Sequence, residues 1–239
     1  MRLINVSLAA VTIALSASAV VNAQTPPAMQ DNASVAVKDG GVFVKGWTGK
    51  IDASEEKAGN VLNNAKLSEE GGVLHVRTGP AVTYWNPANK ATGSYTVKGT
   101  FTESNYMGLN DHPHPYGIVI AGNDLGTDHQ SLLYCAAYGN GTFIVRGFGP
   151  EPFRMGDRRP EENAAVHKAA GKGSSVTQEI AMSVSADKVS CTINGTVVAS
   201  YDRALVVAPG KLKSTDGVYG IRFAHNTEAT VTGFGVSKQ

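Results

Sequence analysis

The segment Asn110-Asp111-His112-Pro113-His114-Pro115-Tyr116 gathers more reactive side chains than any other short stretch of the chain. Two imidazoles at i and i+2 beside a carboxylate form a donor set for a divalent cation, because neutral imidazole is a common metal ligand. Asp111, His112 and His114 are therefore candidate metal ligands. The prolines hold the loop extended and reduce the entropy lost on ligation. The same histidines could instead serve as general acid or base near neutral pH, contact a substrate, or simply occupy an edge loop. His75 joins His112 and His114 as a catalytic candidate.

A second set consists of aromatic and basic residues inside short apolar runs. Side chains alternate across a strand, so His75 shares a face with Arg77, Tyr134 with Tyr138, and Arg146 with Ile144 and Phe148. Such residues either face solvent or, gathered on one concave sheet face, stack on sugar rings and bond hydroxyls. Trp85, Tyr134, Arg146, His75 and Arg222 are the candidate ligand-binding residues. The scattered acids Asp124 and Asp128 could take part in a calcium site, whose oxygens come from distant loops. No other cofactor is expected.

Several chemistries are absent. There is no Gly-x-Ser-x-Gly elbow, phosphate-cradling glycine loop, His-Glu-x-x-His or EF-hand loop. The Glu-Glu pairs at 55–56, 69–70 and 161–162 lie in polar stretches, and no strand carries acids at i and i+2. A glycosidase needs two carboxylates facing each other across the scissile bond.

The elements that must position these residues are short. Twelve runs read as strands: 41–45, 72–77, 81–85, 93–102, 116–121, 131–138, 142–148, 180–185, 188–193, 196–201, 218–224 and 228–236. Turn residues separate most of them, which indicates an all-β sandwich or barrel. Asn140-Gly141 and Asn194-Gly195 each divide two alternating runs and predict type I′ hairpins. Helical composition is confined to 54–65 and 159–170, either of which reads equally as a solvated loop.

Composition narrows the class. The chain has 239 residues, 21 Lys+Arg against 20 Asp+Glu, 42% hydrophobic residues and 27 glycines. A net charge of +1 supplies no field for nucleic acid or an acidic membrane surface. Residues 1–23 carry Arg2, an apolar stretch over Leu8–Leu15 and small residues at Val21 and Ala23, the pattern of a secretory signal peptide. No later run of about 18 apolar residues follows, so no membrane span is expected after cleavage. Residues 24–38 read as a loose N-terminal segment and 39–239 as one domain, periplasmic or secreted. In an oxidising compartment Cys135 and Cys191 either pair or remain two small core residues.

From Gly40 to Val236 the order of GWTGK, GVLHVRTG, YTVKGTF, PYGIVIAG, LLYCAAYGNGTFIVRGF, KVSCTINGTVVASYD and GVYGIRFAHN resembles the concanavalin A-like lectin/glucanase superfamily. Within it, the chain looks most similar to the exported 3-keto-disaccharide hydrolase-like domain. The resemblance implies a jelly roll of two curved antiparallel sheets, with few short helices and a concave face suited to carbohydrate. It implies a saccharide-binding module, or else a hydrolase acting on 3-keto-disaccharides. A protein-interaction or adhesion module without catalysis would use the same fold. No catalytic residue carries over, because no activity motif matches position by position.

Overall fold

The computed structural model describes residues 33–238. The expected signal peptide, and the N-terminal segment as far as Asn32, lie outside the described residues. In chain order the first eight strands are β1 Gly41–Val42, β2 Thr48–Ile51, β3 Lys66–Glu70, β4 Val73–Arg77, β5 Val82–Ala91, β6 Tyr95–Glu103, β7 Tyr116–Asn123 and β8 Ser131–Ala137. They are followed by β9 Thr142–Phe148, β10 Pro152–Arg154, β11 Glu161–Glu162, β12 Val176–Val184, β13 Lys188–Ile193, β14 Thr196–Asp202, β15 Gly217–Phe223 and β16 Glu228–Lys238. Short helices α1 (Ala53–Lys57) and α2 (Arg203–Val206) and a 3-10 turn at Leu62–Asn64 complete the elements.

Two sheets result. Sheet A runs β1-β3-β4-β16-β6-β12-β13-β14, and sheet B runs β10-β9-β8-β7-β15-β5-β2 with β11 also on β9. Pairing is antiparallel except between β1 and β3. The sheets pack face to face as an antiparallel jelly-roll sandwich: the strand runs predict a sandwich or barrel, and the jelly roll is what the family resemblance implies.

Burial explains why these segments are strands. Along β6 and β13 buried and half-exposed residues alternate, so sheet A turns one face inward and one outward. From sheet A, Val97, Phe101, Ile180, Met182 and Val231 face the interior, where they meet Ile118, Ile120, Leu133, Ile221 and Phe223 of sheet B. Phe101, Tyr116 and Phe223 form an aromatic trio between the layers, with ring centroids 5.6–6.0 Å apart. Cys135 on β8 and Cys191 on β13 form a disulfide that ties sheet B to sheet A, their Cα atoms 6.1 Å apart.

Strands β7 and β8 differ, being buried along nearly their whole length. Their outward side chains Val119, Leu132, Tyr134 and Ala136 join Ile144 of β9 in a second apolar cluster, against which Leu125, Tyr138 and Phe148 pack. Continuous apolar runs in the sequence follow from this double burial.

Some local expectations are corrected. Residues 159–170 contain no α-helix. The His167 N–H bonds Gln178 Oε1 at 3.0 Å and its carbonyl accepts from Gln178 Nε2 at 2.8 Å. Ala169 N–H bonds the Gly139 carbonyl in the loop after β8, while Val166 N–H bonds Asn163 three residues back, so distant partners and an isolated turn replace a helical ladder. Residues 54–65 hold only α1 and the 3-10 turn. At Asn194-Gly195 both residues have positive φ, 50° and 81°, as a type I′ turn requires. At 140–141 only Gly141 does, and Asn140 Oδ1 instead accepts from the Thr142 N–H and hydroxyl. Strand β3 (KLSEE) was missed because its outward positions are charged and it carries a single buried residue.

Candidate functional site

Arg222, Trp85, Tyr134 and Arg146 share the outer face of sheet B. Trp85 on β5 is level with Gly220 on β15, Gly220 with Val119 on β7, Val119 with Tyr134 on β8, and Tyr134 with Arg146 on β9. Arg222 stands one row away, level with Thr83 and Gly117. The Arg222 guanidinium donates to both Asp52 oxygens at 2.8 and 2.5 Å and to Thr83 Oγ1 at 3.0 Å. Its central carbon also lies 4.9 Å from the ring centres of both Tyr134 and Phe148. Arg222 is level with Ile144 on β9, four residues short of Phe148. In a flat sheet, with strands about 4.8 Å apart and about 3.3 Å per residue, the backbones at Arg222 and Phe148 would be roughly 19 Å apart, beyond the joint reach of the side chains. Groups borne on β15, β8 and β9, and at the end of β2, can converge on one guanidinium only if the sheet curls toward them. The outer face of sheet B is therefore the hollow one.

The contents of that hollow differ from a wet, decorated surface. Its floor is largely aliphatic and small, through Val119, Ala136, Ile144, Gly117 and Gly220. Trp85 is 5% exposed, and Gly126 passes over the edge of its indole, so it walls the hollow instead of offering an open platform. Asp52 and Thr83 take three of the five Arg222 N–H donors, which limits what it can offer a hydroxyl. Burial works against the Arg222 charge, but the Asp52 carboxylate and Tyr134 outweigh it and raise its proton affinity above the usual arginine value. Tyr134 and Phe148 stack with centroids 6.3 Å apart and an interplanar angle of 27°. Arg146 beside them has a buried Nε without a hydrogen-bond partner, and only a 3.4 Å contact from NH2 to the Arg158 carbonyl. Desolvation lifts the neighbouring Tyr138 hydroxyl to about 12.

His75 does not join this group. It projects from β4 on the outer face of sheet A, where it lines a cleft of about 680 Å³ with Lys66, Glu69, Arg77, Glu228 and Thr230. The one-residue-in-two rule placed His75 and Arg77 together correctly, but it cannot say to which sheet a strand belongs.

The histidine loop meets a partner that no local pattern singles out. His112 and His114 lie against His225, which follows β15, and one ligating atom from each lies within 4.8 Å of the other two. Among the described residues this is the only group of three or more His, Cys, Asp or Glu so arranged. Asp111 is not the third member: its Oδ1 bonds His112 Nδ1 at 2.6 Å. That bond holds the Asp111 carboxyl below the ordinary carboxylate range. Asp124 and Asp128, the calcium candidates, are ion-paired with Lys213 and Lys50 at 3.8 and 3.6 Å.

Sequence reasoning also missed Glu103. It ends β6 on the inward phase of Tyr95, Val97 and Phe101, so strict alternation would have placed it indoors. Its Oε1 accepts the Met107 N–H at 3.2 Å while Oε2 is buried without a partner. Burial raises its carboxyl from 4.5 to about 7, against a smaller lowering by the Met107 bond. The folded state thus holds a proton that the unfolded chain has already released between pH 4.5 and 7. Stability from this site is complete below pH 4.5, falls as pH rises through 7, and is level above it. Glu103→Gln should raise stability at pH 8 by on the order of 2 kcal/mol and change it little at pH 4, as read by urea denaturation at both values. Equal effects at the two pH values would contradict the assignment.

No protein-family model matches the sequence, and no curated protein matches it. Solved structures do. The carbohydrate-binding module CBM66 from Bacillus subtilis superposes with a TM-score of 0.54 at 7% identity, covering 82% of this chain and 98% of that one. The fold is a galectin-like jelly roll. A second Bacillus subtilis protein, of unknown function with a galectin-like fold, gives a TM-score of 0.50 at 14% identity over 82% of this chain and 90% of that one. At such identities the likeness concerns the fold.

Proposed function

We propose that the protein is exported and engages a saccharide in the hollow of sheet B, using Tyr134, Phe148 and Arg146. The observation that carries this reading is the buried Arg146 Nε, a donor without an acceptor, set beside a stacked aromatic pair. An unpaired buried donor costs about 1–3 kcal/mol, a penalty that an incoming hydroxyl removes. The apolar face of a sugar ring can meanwhile cover half-buried Phe148, with the 7% exposed Tyr134 ring stacked behind it, since aromatic rings bury well against C–H groups. The two features together match a ligand that is apolar on one face and hydroxylated at its edge. The CBM66 likeness adds a precedent, since that protein is a carbohydrate-binding module on the same fold. For export, the support is the signal-peptide pattern of residues 1–23 and a disulfide, a bond common in oxidising compartments and rare in reducing ones.

Titration calorimetry against a panel of mono- and disaccharides tests the reading. At least one should bind, and Arg146→Ala should weaken it by about tenfold or more while leaving the denaturation midpoint near that of the parent. Silence across the panel, or an unchanged affinity in Arg146→Ala, removes the proposal. Release of a monosaccharide from 3-keto-trehalose in the same cell would shift it from binding to hydrolysis.

A further inference from the structure

The trio His112, His114 and His225 lies away from the aromatic pair, where the loop before β7 meets the segment after β15. His112 Nε2 and His114 Nε2 face each other at 2.9 Å, and the rings of His114 and His225 stack at 4.3 Å. The contact between His112 and His114 is a hydrogen bond, so one of the two Nε2 atoms carries a proton that a cation would displace on binding.

The surrounding groups fix which nitrogen each ring presents. Asp111 is an acceptor, so His112 carries its proton on Nδ1 and turns the Nε2 lone pair toward His114. Ser34 Oγ donates to the Glu55 carboxylate at 2.8–2.9 Å and lies 3.3 Å from His225 Nδ1. With its one proton committed to Glu55, Ser34 accepts from His225 Nδ1–H, which assigns the proton of this ring to Nδ1. Glu55 is itself fixed by the Ala81 N–H at 3.2 Å and by Asn60 Nδ2 at 3.0 Å. A carboxylate behind a histidine, setting its tautomer and raising its basicity, is the usual second layer of a metal centre. Two of the three rings here have one, directly or through a serine.

The backbone is held in place as well. The Ala224 N–H bonds the Pro115 carbonyl at 2.9 Å, which ties the two histidine-bearing segments together. Thr78 Oγ1 donates to the Ala224 carbonyl at 2.7 Å, and Asn110 Nδ2 to the Asn226 carbonyl at 2.7 Å. Zinc–nitrogen bonds of about 2.0–2.1 Å place tetrahedral ligand atoms roughly 3.4 Å apart, so closure of the trio needs shifts of about an ångström.

We propose that His112, His114 and His225 form a three-histidine site for a divalent d-block cation, Zn²⁺ in the first instance. An all-imidazole set favours zinc over calcium, which takes oxygen ligands. Three protein ligands leave a coordination position for water, and half-buried His112 opens the site to solvent.

The test uses the full chain without a histidine tag, stripped with EDTA and dialysed. Competition with a chromogenic zinc chelator should show one Zn²⁺ bound per chain. His225→Ala and His112→Ala should each weaken binding at least about a hundredfold, and Ser34→Ala by roughly tenfold through loss of ring orientation. A variant lacking His75, His129 and His167 should bind as the parent does. Should His225→Ala unfold, Co²⁺ substituted into the parent must show visible bands of a low-coordinate nitrogen site. No uptake by the parent, or uptake that survives His225→Ala and His112→Ala, overturns the proposal.

Discussion

A Cys135→Ala/Cys191→Ala variant is expected to lose about 4 kcal/mol of folding stability. The two cysteines are 56 residues apart in sequence, and joining them removes much of the freedom of the unfolded chain. For a loop of that length the chain-entropy relation gives about 4 kcal/mol at 25 °C. Cys135 is fully buried and Cys191 1% exposed, so each alanine also leaves a small void between the sheets. The bond links β8 to β13, which belong to different sheets, and so acts on the docking of the layers instead of on one hairpin. Urea denaturation of the parent with and without reductant, alongside the double variant, measures the effect. Midpoints that coincide across all three samples would show that the bridge does not hold the layers together.

Asp52→Ala should cost about 3–5 kcal/mol for a different reason. Arg222 has a side chain only 9% exposed, and Asp52 supplies its sole counter-charge among the described ion pairs. Removing one partner of a buried pair leaves an uncompensated charge, which is far more expensive than losing both. The double variant Asp52→Ala/Arg222→Met should therefore recover most of the loss, because methionine can fill the space between Tyr134 and Phe148 without a charge. Chemical denaturation of the three variants reads the coupling directly. A double variant no more stable than Asp52→Ala would mean that packing of Arg222, not its charge, is what matters.

Much of the fold was readable because alternation and glycine-bounded runs are local properties. Each of the twelve expected runs has a strand within it, from Gly41–Val42 to Glu228–Lys238. Charged outward positions hid β3, and the other misses come from distant partners. Residues 159–170 have helical composition, but Gln178 and Gly139 claim their backbone groups, and no local pattern reports such distant partners. The same applies to the hollow. Period two placed Tyr134 with Tyr138 and Arg146 with Phe148, but it could not reveal that the Asp52 carboxylate engages Arg222 through two of its donors. Nor could it separate His75, on sheet A, from the aromatic group on sheet B. His225 was out of reach entirely, since only the β7–β15 pairing carries it to His112 and His114.

The central claim is that the hollow of sheet B, and not the cleft around His75, receives the ligand. NMR titration of labelled protein with the best-binding saccharide tests it most directly, through two reporters in the hollow and one outside. The Arg146 Nε–H resonance and the Ile144 methyl signals should move in step with ligand, while the His75 ring signals stay fixed. Shifts confined to His75 and its neighbours Arg77 and Thr230, with Arg146 and Ile144 unmoved, would contradict the account.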